Sequence, residues 1–260
     1  MMENKPILSV DHVIMQFGGL RAIDDVSFTL NQAEIFGLIG PNGAGKTTLF
    51  NVITSNYKPT SGKVMLGQET ITGLKPNLVV NRGIARTFQN IRLFNSMTVL
   101  ENVLIGFDRA IHYSFIEAAL HIGRFFSAEK RAKAQAMEIL EYIGIAEHAN
   151  SLATNLSYGN QRKVEIARAL ATSPELLLLD EPAAGMNPRE TNELAQLIFK
   201  MREDYQLTVL LIEHDMSFVN TLCERVLVLD YGKPLFSGTT HEAINNKEVI
   251  AAYLGEVDYA

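Results

Sequence analysis

Residues 40–47 read GPNGAGKT, a full match to the phosphate-loop pattern G-x-x-x-x-G-K-[ST]. Gly40, Gly43 and Gly45 allow backbone N–H groups to converge on phosphate oxygens, and Pro41, Asn42, Ala44 and Thr48 complete the cradle. The helix that must follow adds its positive end. Lys46 is placed to reach β- and γ-phosphates, and Thr47 to ligate Mg²⁺. A Gly-rich turn with an exposed Lys would show the glycines alone. Here an apolar run, IFGLIG, precedes the loop and a helical stretch, KTTLFNVIT, follows it. A second run, LLLLDE at 176–181, buries a strand and delivers Asp180 and Glu181 at its carboxyl end, which in an open α/β sheet lies beside the phosphate loop. Asp180 would then hold Mg²⁺, directly or through water, and Glu181 would polarise an attacking water as general base.

These residues need a sheet to carry them, and the chain supplies one. Residues 7–35 alternate in the manner of half-buried strands. SGKVMLGQE (61–69) reads as another strand with turn punctuation. From about 90 to 170 the pattern turns helical, with Ala132, Ala136, Ile139, Leu140 and Ile143 at helical spacing. Apolar strands then return at 176–180, 208–214 and 225–230. Between the first two lies a helix that Asn187 can cap and Pro188 can open, with Leu194, Leu197, Ile198 and Met201 on its apolar face. Strands alternating with helices imply a parallel core sheet covered on both sides. The fold class expected is α/β, of the phosphate-loop NTPase kind, with an N-terminal antiparallel β layer and an inserted α-helical subdomain. The chain, 1–260, is read as one domain: a core of about 1–89 and 166–260, and a helical subdomain of about 90–165.

Bulk properties narrow the class. The chain has 260 residues, 47% hydrophobic and 20% charged, and a net charge of −6. The acidic balance argues against nucleic acid as a partner. Cys223 is the sole cysteine, so no intrachain disulfide forms, and it reads as a small buried apolar residue. The N-terminus lacks a basic region followed by an apolar run, and the apolar runs are far shorter than the ~20 residues a bilayer requires. Residues 111–126, aromatic but broken by charges, read as a helix packed on protein. The expectation is a soluble, cytosolic protein, any membrane role of which is peripheral or through a partner.

LSYGNQR at 156–162 leads into a helical pattern, with no metal ligand or nucleophile partner beside Ser157. A GTPase would need N-K-x-D, and NKEV at 246–249 lacks its Asp. The order GPNGAGKT, Gln89 in TFQN, LSYGNQR, LLLLDEP and His214 in LIEHD resembles the ATP-binding-cassette (ABC) family over nearly the whole chain. That resemblance implies an ATPase acting as a dimer, with two ATPs sandwiched head to tail. It implies that Gln89 touches Mg²⁺ and the attacking water, and that His214 contacts the γ-phosphate and orients water and Glu181. It matches Phe17 to an aromatic that stacks on adenine, against the alternative of an ordinary strand aromatic. It assigns Ser157, Tyr158, Gly159 and Gln161 to the partner protomer's ATP, the Ser157 hydroxyl and Gly159 N–H on its γ-phosphate. Two positions depart from the usual pattern. Tyr158 stands where Gly is common, which implies that no positive φ is needed there. Asn187 stands where many relatives have Asp, so the link between the two sites lacks a charge.

Within the family, FGGLRAIDDVSF, RTFQNIRLFNSMTVLENVLIG, LDEPAAGMNP and the ending AAYLGE resemble the ATPase of branched-chain amino acid importers. This implies a second ATPase subunit, identical or similar, two transmembrane permeases and, indirectly, an external solute-binding protein. The chain would then sit on the cytoplasmic face of a bacterial inner membrane. Ile91, Leu93, Phe94 and Met97 become candidates for a permease groove, or for plain core packing. Urea or amide importers, the lipopolysaccharide-export ATPase and a soluble ABC regulator or repair factor are the alternatives.

Overall fold

An uninterrupted apolar run of strand length must be covered on both faces. In the computed structural model, which describes residues 6–107 and 124–254, three such runs lie side by side. They are β3 (Ile35–Ile39), β7 (Leu176–Asp180) and β8 (Thr208–Ile212), each buried at every position. They pair in parallel, with β9 (Arg225–Asp230) on one side and the short β6 (Ile84–Arg86) on the other. The sheet order is β10-β9-β3-β8-β7-β6. Its outer strand β10 (Lys233–Thr239) runs antiparallel to β9. The β9–β10 turn has two central residues, Tyr231 and Gly232, both at positive φ (43° and 79°). That is the hairpin geometry whose twist suits the flanking strands. Neither β6 nor β10 was expected from the sequence.

Alternation along each strand divides the core. Leu177, Leu179, Val209, Leu211, Val226 and Val228 face one side, where helices cover them. Leu176, Leu178, Leu210, Ile212, Leu227 and Leu229 face the other. There they meet α1 (Lys46–Ile53) and a four-stranded antiparallel sheet of order β2-β1-β4-β5. Its strands are β1 (Pro6–Phe17), β2 (Leu20–Asn31), β4 (Ser61–Leu66) and β5 (Glu69–Thr70). In β2 the buried positions are Ile23, Val26, Phe28 and Leu30. The three-residue step from Ile23 to Val26 breaks the alternation, and Asp25, at φ 60°, is the bulge that absorbs the extra residue.

After α2 (Pro76–Asn81) and β6 the chain enters the helical part. It contains α3 (Val99–Leu104), α4 (Arg124–Ile143) and α5 (Tyr158–Leu170). Thr98 and Glu101 form a reciprocal capping box at the start of α3. Ala132, Ala136, Leu140 and Ile143 of α4 are buried, and Ile139 is partly so, as their spacing predicts. Asn187 caps α6 (Pro188–Tyr205), with Pro188 in its first turn and Leu194, Leu197, Ile198 and Met201 buried. The chain continues through α7 (Met216–Leu222), β9 and β10 to α8 (Thr240–Asn245) and α9 (Lys247–Leu254). The helix expected over residues 111–126 lies outside the described residues except for its last three, which open α4. Cys223 is buried and burial pushes its thiol up, as befits a packing residue. Among the described residues no helix is long and apolar enough to cross a membrane.

Candidate functional site

The phosphate loop joins β3 to α1 at the carboxyl edge of the parallel strands. Its glycines do different jobs. Gly45 is the N-cap of α1 at φ 98°, and a Cβ there would fall 2.5 Å from the Ala22 carbonyl oxygen. Gly40, at φ 142°, would bring a Cβ within 2.1 Å of the Leu229 carbonyl oxygen on β9. Gly43, at φ 76°, faces open space. The Lys46 ammonium is buried and donates to the carbonyls of Gly40 (2.6 Å) and Pro41 (2.8 Å). From α9, the Tyr253 hydroxyl accepts a hydrogen bond from the Gly40 N–H at 2.8 Å.

These contacts give a graded prediction. Gly40→Ala must push a methyl into a carbonyl of a core strand, so it should lower Tm sharply and abolish nucleotide binding. Gly43→Ala meets only the left-handed backbone penalty of ~1–2 kcal/mol and should fold with a modest Tm loss. Thermal melts with and without nucleotide check the contrast; equal losses would mean that the Leu229 contact does not decide it.

The loop forms one wall of a groove of about 560 Å³. Asn42, Gly43, Ala44, Gly45, Lys46, Thr47 and Thr48 line it, together with Phe17, Gln89 and Glu181 from distant parts of the chain. Phe17 ends β1, is 43% exposed and packs edge-on against Tyr57, with ring centroids 5.3 Å apart. Leu20 and Tyr231, both exposed, line the same groove. Sequence reasoning did not single them out, since nothing local marks either residue as lining a groove.

Glu181 follows β7 directly. It takes φ 46°, rare for a non-Gly residue, and its N–H donates to the Ile212 carbonyl at 2.9 Å. The backbone therefore leaves the sheet sharply and holds the side chain 17% exposed beside the groove. Its Oε2 accepts from the Gln89 amide nitrogen at 2.8 Å and lies 3.9 Å from His214 Nδ1. The sequence-selected Gln89, Glu181 and His214 thus converge, although 92 residues separate the first two.

Asp180 sits one residue deeper, buried, and is not among the groove-lining residues. Its Oδ2 pairs with Arg86 Nη2 at 2.7 Å, and Arg86 also donates to Asn51 Oδ1 at 2.7 Å. Burial raises the Asp180 pKa, and the Arg86 hydrogen bond and charge oppose that. Neither Arg86 nor Glu213 was found by sequence reasoning. Glu213 is buried, accepts from the N–H groups of Ala183 (3.0 Å) and His214 (3.3 Å), and has its pKa raised chiefly by burial. It fastens the segment after Glu181 to the one bearing His214.

Ser157, Tyr158, Gly159 and Gln161 stand apart from this groove. Ser157 is the N-cap of α5, its Oγ accepting from Asn160 N at a long 3.4 Å. Tyr158 opens that helix and its φ is not positive, in keeping with a position that tolerates bulk. Gly159 is buried, and a Cβ there would lie 3.0 Å from Glu190 Oε1. Gln161 donates through Nε2 to the Leu156 carbonyl at 3.0 Å. Asn187 accepts from the N–H groups of Arg189 and Glu190, both at 3.0 Å, so it performs the capping its side chain allows without charge. Of Ile91, Leu93, Phe94 and Met97, none is fully buried; Leu93 packs against the core, and Phe94 is half exposed. The buried Asn102 shapes their loop, donating to the carbonyls of Phe94, Met97 and Thr98 and accepting from Phe94 N–H.

Comparison with known proteins follows the same outline. The family described as ABC transporter matches residues 23–184. Over 253 residues the chain is 47% identical to the high-affinity branched-chain amino acid transport ATP-binding protein LivG of Salmonella typhimurium, covering 97% of this chain and 99% of that one. Among solved structures it is similar to the ADP conformation of MJ1267, an ATP-binding cassette of an ABC transporter, at 31% identity and a TM-score of 0.82, covering 96% and 99% of the two chains. It is also similar to the dimeric structure of MJ0796, a bacterial ABC transporter cassette, at 25% identity and a TM-score of 0.76, covering 90% and 98%.

Proposed function

Since the chain belongs to the ABC transporter family, we propose that it is the ATP-hydrolysing subunit of an importer for branched-chain amino acids. The observation that carries the enzymatic half is the convergence of Gln89 and Glu181, 2.8 Å apart, on a groove walled by the phosphate loop. The likeness to LivG, 47% over nearly the full length of both chains, carries the solute.

Nucleotide phosphates fit the loop. The Lys46 ammonium moves from the Gly40 and Pro41 carbonyls to the phosphate oxygens, exchanging neutral acceptors for charged ones. Phe17, exposed on the groove wall, would stack on adenine. Glu181 accepts a proton from water as that water attacks the γ-phosphate. Gln89 fixes the rotamer of the carboxylate, and His214 beside it steadies the water and the γ-phosphate under attack, as ADP departs with the bridging oxygen.

Mg²⁺ suits the donor set, because Thr47 and Gln89 present hard oxygens in the same groove. Asp180, buried and engaged by Arg86, would hold it through water. The chemistry the ion supplies when bound is neutralisation of phosphate charge.

Ser157 and Gly159, at the start of α5 and away from the chain's own groove, serve the ATP of a second ATPase subunit in a head-to-tail pair. The similarity to a dimeric cassette supports this arrangement. Two permeases would dock at the loop bearing Ile91, Leu93, Phe94 and Met97. An external binding protein would feed them, with the chain on the cytoplasmic face of the inner membrane. ATP favours the closed pair, and loss of the γ-phosphate contacts reopens it.

Reconstitution tests the reading. The chain, coexpressed with two candidate permeases and a second ATPase subunit, is placed in proteoliposomes with a solute-binding protein, and ATP-dependent uptake of labelled leucine is followed. Leucine accumulation is expected. Uptake of urea or an amide instead would overturn the solute, and purely soluble behaviour without permeases would overturn transport.

A further inference from the structure

Helix α5 does more than present Ser157. Three of its side chains, spaced three residues apart and so on one stripe, grip the segment that carries Gln89. Arg162 donates through Nη1 to the Phe88 carbonyl at 2.6 Å and through Nη2 to the Gln89 carbonyl at 2.8 Å. Glu165 Oε1 accepts from the N–H groups of Phe88 (3.3 Å) and Arg92 (3.4 Å). Arg168 Nη2 donates to the Arg92 carbonyl at 2.6 Å. Arg162 and Glu165 pair with each other at 2.7 Å, with side chains 0% and 1% exposed. The last sheet bond before this segment is Thr87 N–H to the Leu178 carbonyl at 2.9 Å.

Stability alone does not account for this pair. Burying two charges costs several kcal/mol per ion, and apolar side chains of similar volume often serve stability as well or better. Arg162 Nε, moreover, is buried with no hydrogen-bond partner among the described residues. What an apolar pair could not do is clamp two consecutive carbonyls. A guanidinium fork does so through two separate nitrogens held in one rigid plane, while Nη1 also pairs with Glu165; a lysine's single ammonium on a flexible stem does not reproduce that geometry.

The same helix reaches the other half of the site. One turn before Arg162, Tyr158 lies with its ring centroid 6.0 Å from the guanidinium carbon. Its ring packs on the loop after Glu181, where a Cβ on Gly185 would approach it to 3.5 Å. The start of α5 therefore touches both the segment bearing Gln89 and the loop following Glu181.

We propose that Arg162, braced by Glu165, is a positioning residue for hydrolysis: it sets the Gln89 amide on the Glu181 carboxylate and links the Ser157 end of α5 to the chain's own site. The proposal rests on Glu181 and Gln89 acting as assigned above. A displacement of about 1 Å at such a group can cost ~10²-fold in rate.

The test is steady-state ATP hydrolysis by the full chain together with its ATPase partner, all substitutions being made in this chain only. Arg162→Lys keeps the charge and loses the fork; kcat should fall by about 10-fold or more, with KM for ATP little changed. In a Gln89→Ala background the same substitution should add nothing, because the group it positions is gone. Arg162→Met combined with Glu165→Met removes both charges without leaving one unpaired; it should melt at or above the wild-type temperature and still show the low kcat. Wild-type kcat in Arg162→Lys or in the double Met variant would overturn the proposal, as would losses that multiply in the Gln89→Ala background. If Glu181→Gln retained full turnover, the underlying reading would fail first; if it did not, those outcomes would count against Arg162 alone.

Discussion

Glu181→Gln is expected to bind ATP as the wild type does, to hydrolyse it about 10²–10⁴-fold more slowly, and to accumulate a closed dimer with its ATPase partner. The substitution keeps shape and removes charge. The backbone at Glu181, left-handed at φ 46° and tied to Ile212, is set by the end of β7 and not by the carboxylate, so the loop should hold its course. The phosphate loop keeps all its contacts, including those of Lys46, and nucleotide affinity should persist. What disappears is the base. No neighbour replaces it: Asp180 is buried against Arg86, and Glu213 is buried under the N–H groups of Ala183 and His214. Phosphate release, equilibrium nucleotide binding and size-exclusion chromatography together check the three parts. Unchanged turnover would mean that the water is activated by another group.

The parts of this site legible in the sequence are those whose signal is local. GPNGAGKT encodes a backbone shape in eight adjacent residues, and LLLLDE a buried strand with its product at the end. The cap at Asn187 and the apolar face of α6 read equally well, because capping and helical period act within a turn or two. The parts that did not show are pairings across long stretches of chain. Arg86 meets Asp180 over 94 residues, and Arg162 meets Gln89 over 73. An isolated arginine in a helix looks like a solvated charge until the fold buries it. Strand phase is hidden in the sequence for a different reason. Asp25 at φ 60° and His12 at φ 48° shift the alternation of the β layer, and neither residue type announces a bulge. Strand β10 escaped notice because its turn places Tyr231, not Asn or Asp, in the first left-handed position.

Ser157→Arg should leave nucleotide binding at the phosphate loop nearly intact while abolishing ATP-driven closure, and with it hydrolysis. The two effects separate because Ser157 does not line the groove that holds the chain's own nucleotide. Locally the loss is small. The Ser157 cap is a long 3.4 Å contact, and removing such a cap costs about 1 kcal/mol. Helix α5 is anchored downstream by buried Arg162, Val164, Glu165 and Ile166, so it persists. At a head-to-tail interface the same change is severe, since a long side chain occupies the space the partner's phosphate must enter and the small hydroxyl is lost. Ser157→Ala removes the cap and hydroxyl without adding bulk and should weaken closure less, which separates steric exclusion from loss of one hydrogen bond. The decisive comparison uses the slow Glu181→Gln background, where ATP should drive the chain and its ATPase partner into a stable pair. Adding Ser157→Arg there should return both to monomers on size-exclusion chromatography, with ATP still bound at the phosphate loop. A pair that survives the substitution would remove Ser157 from the partner's nucleotide and leave the start of α5 without its assigned role.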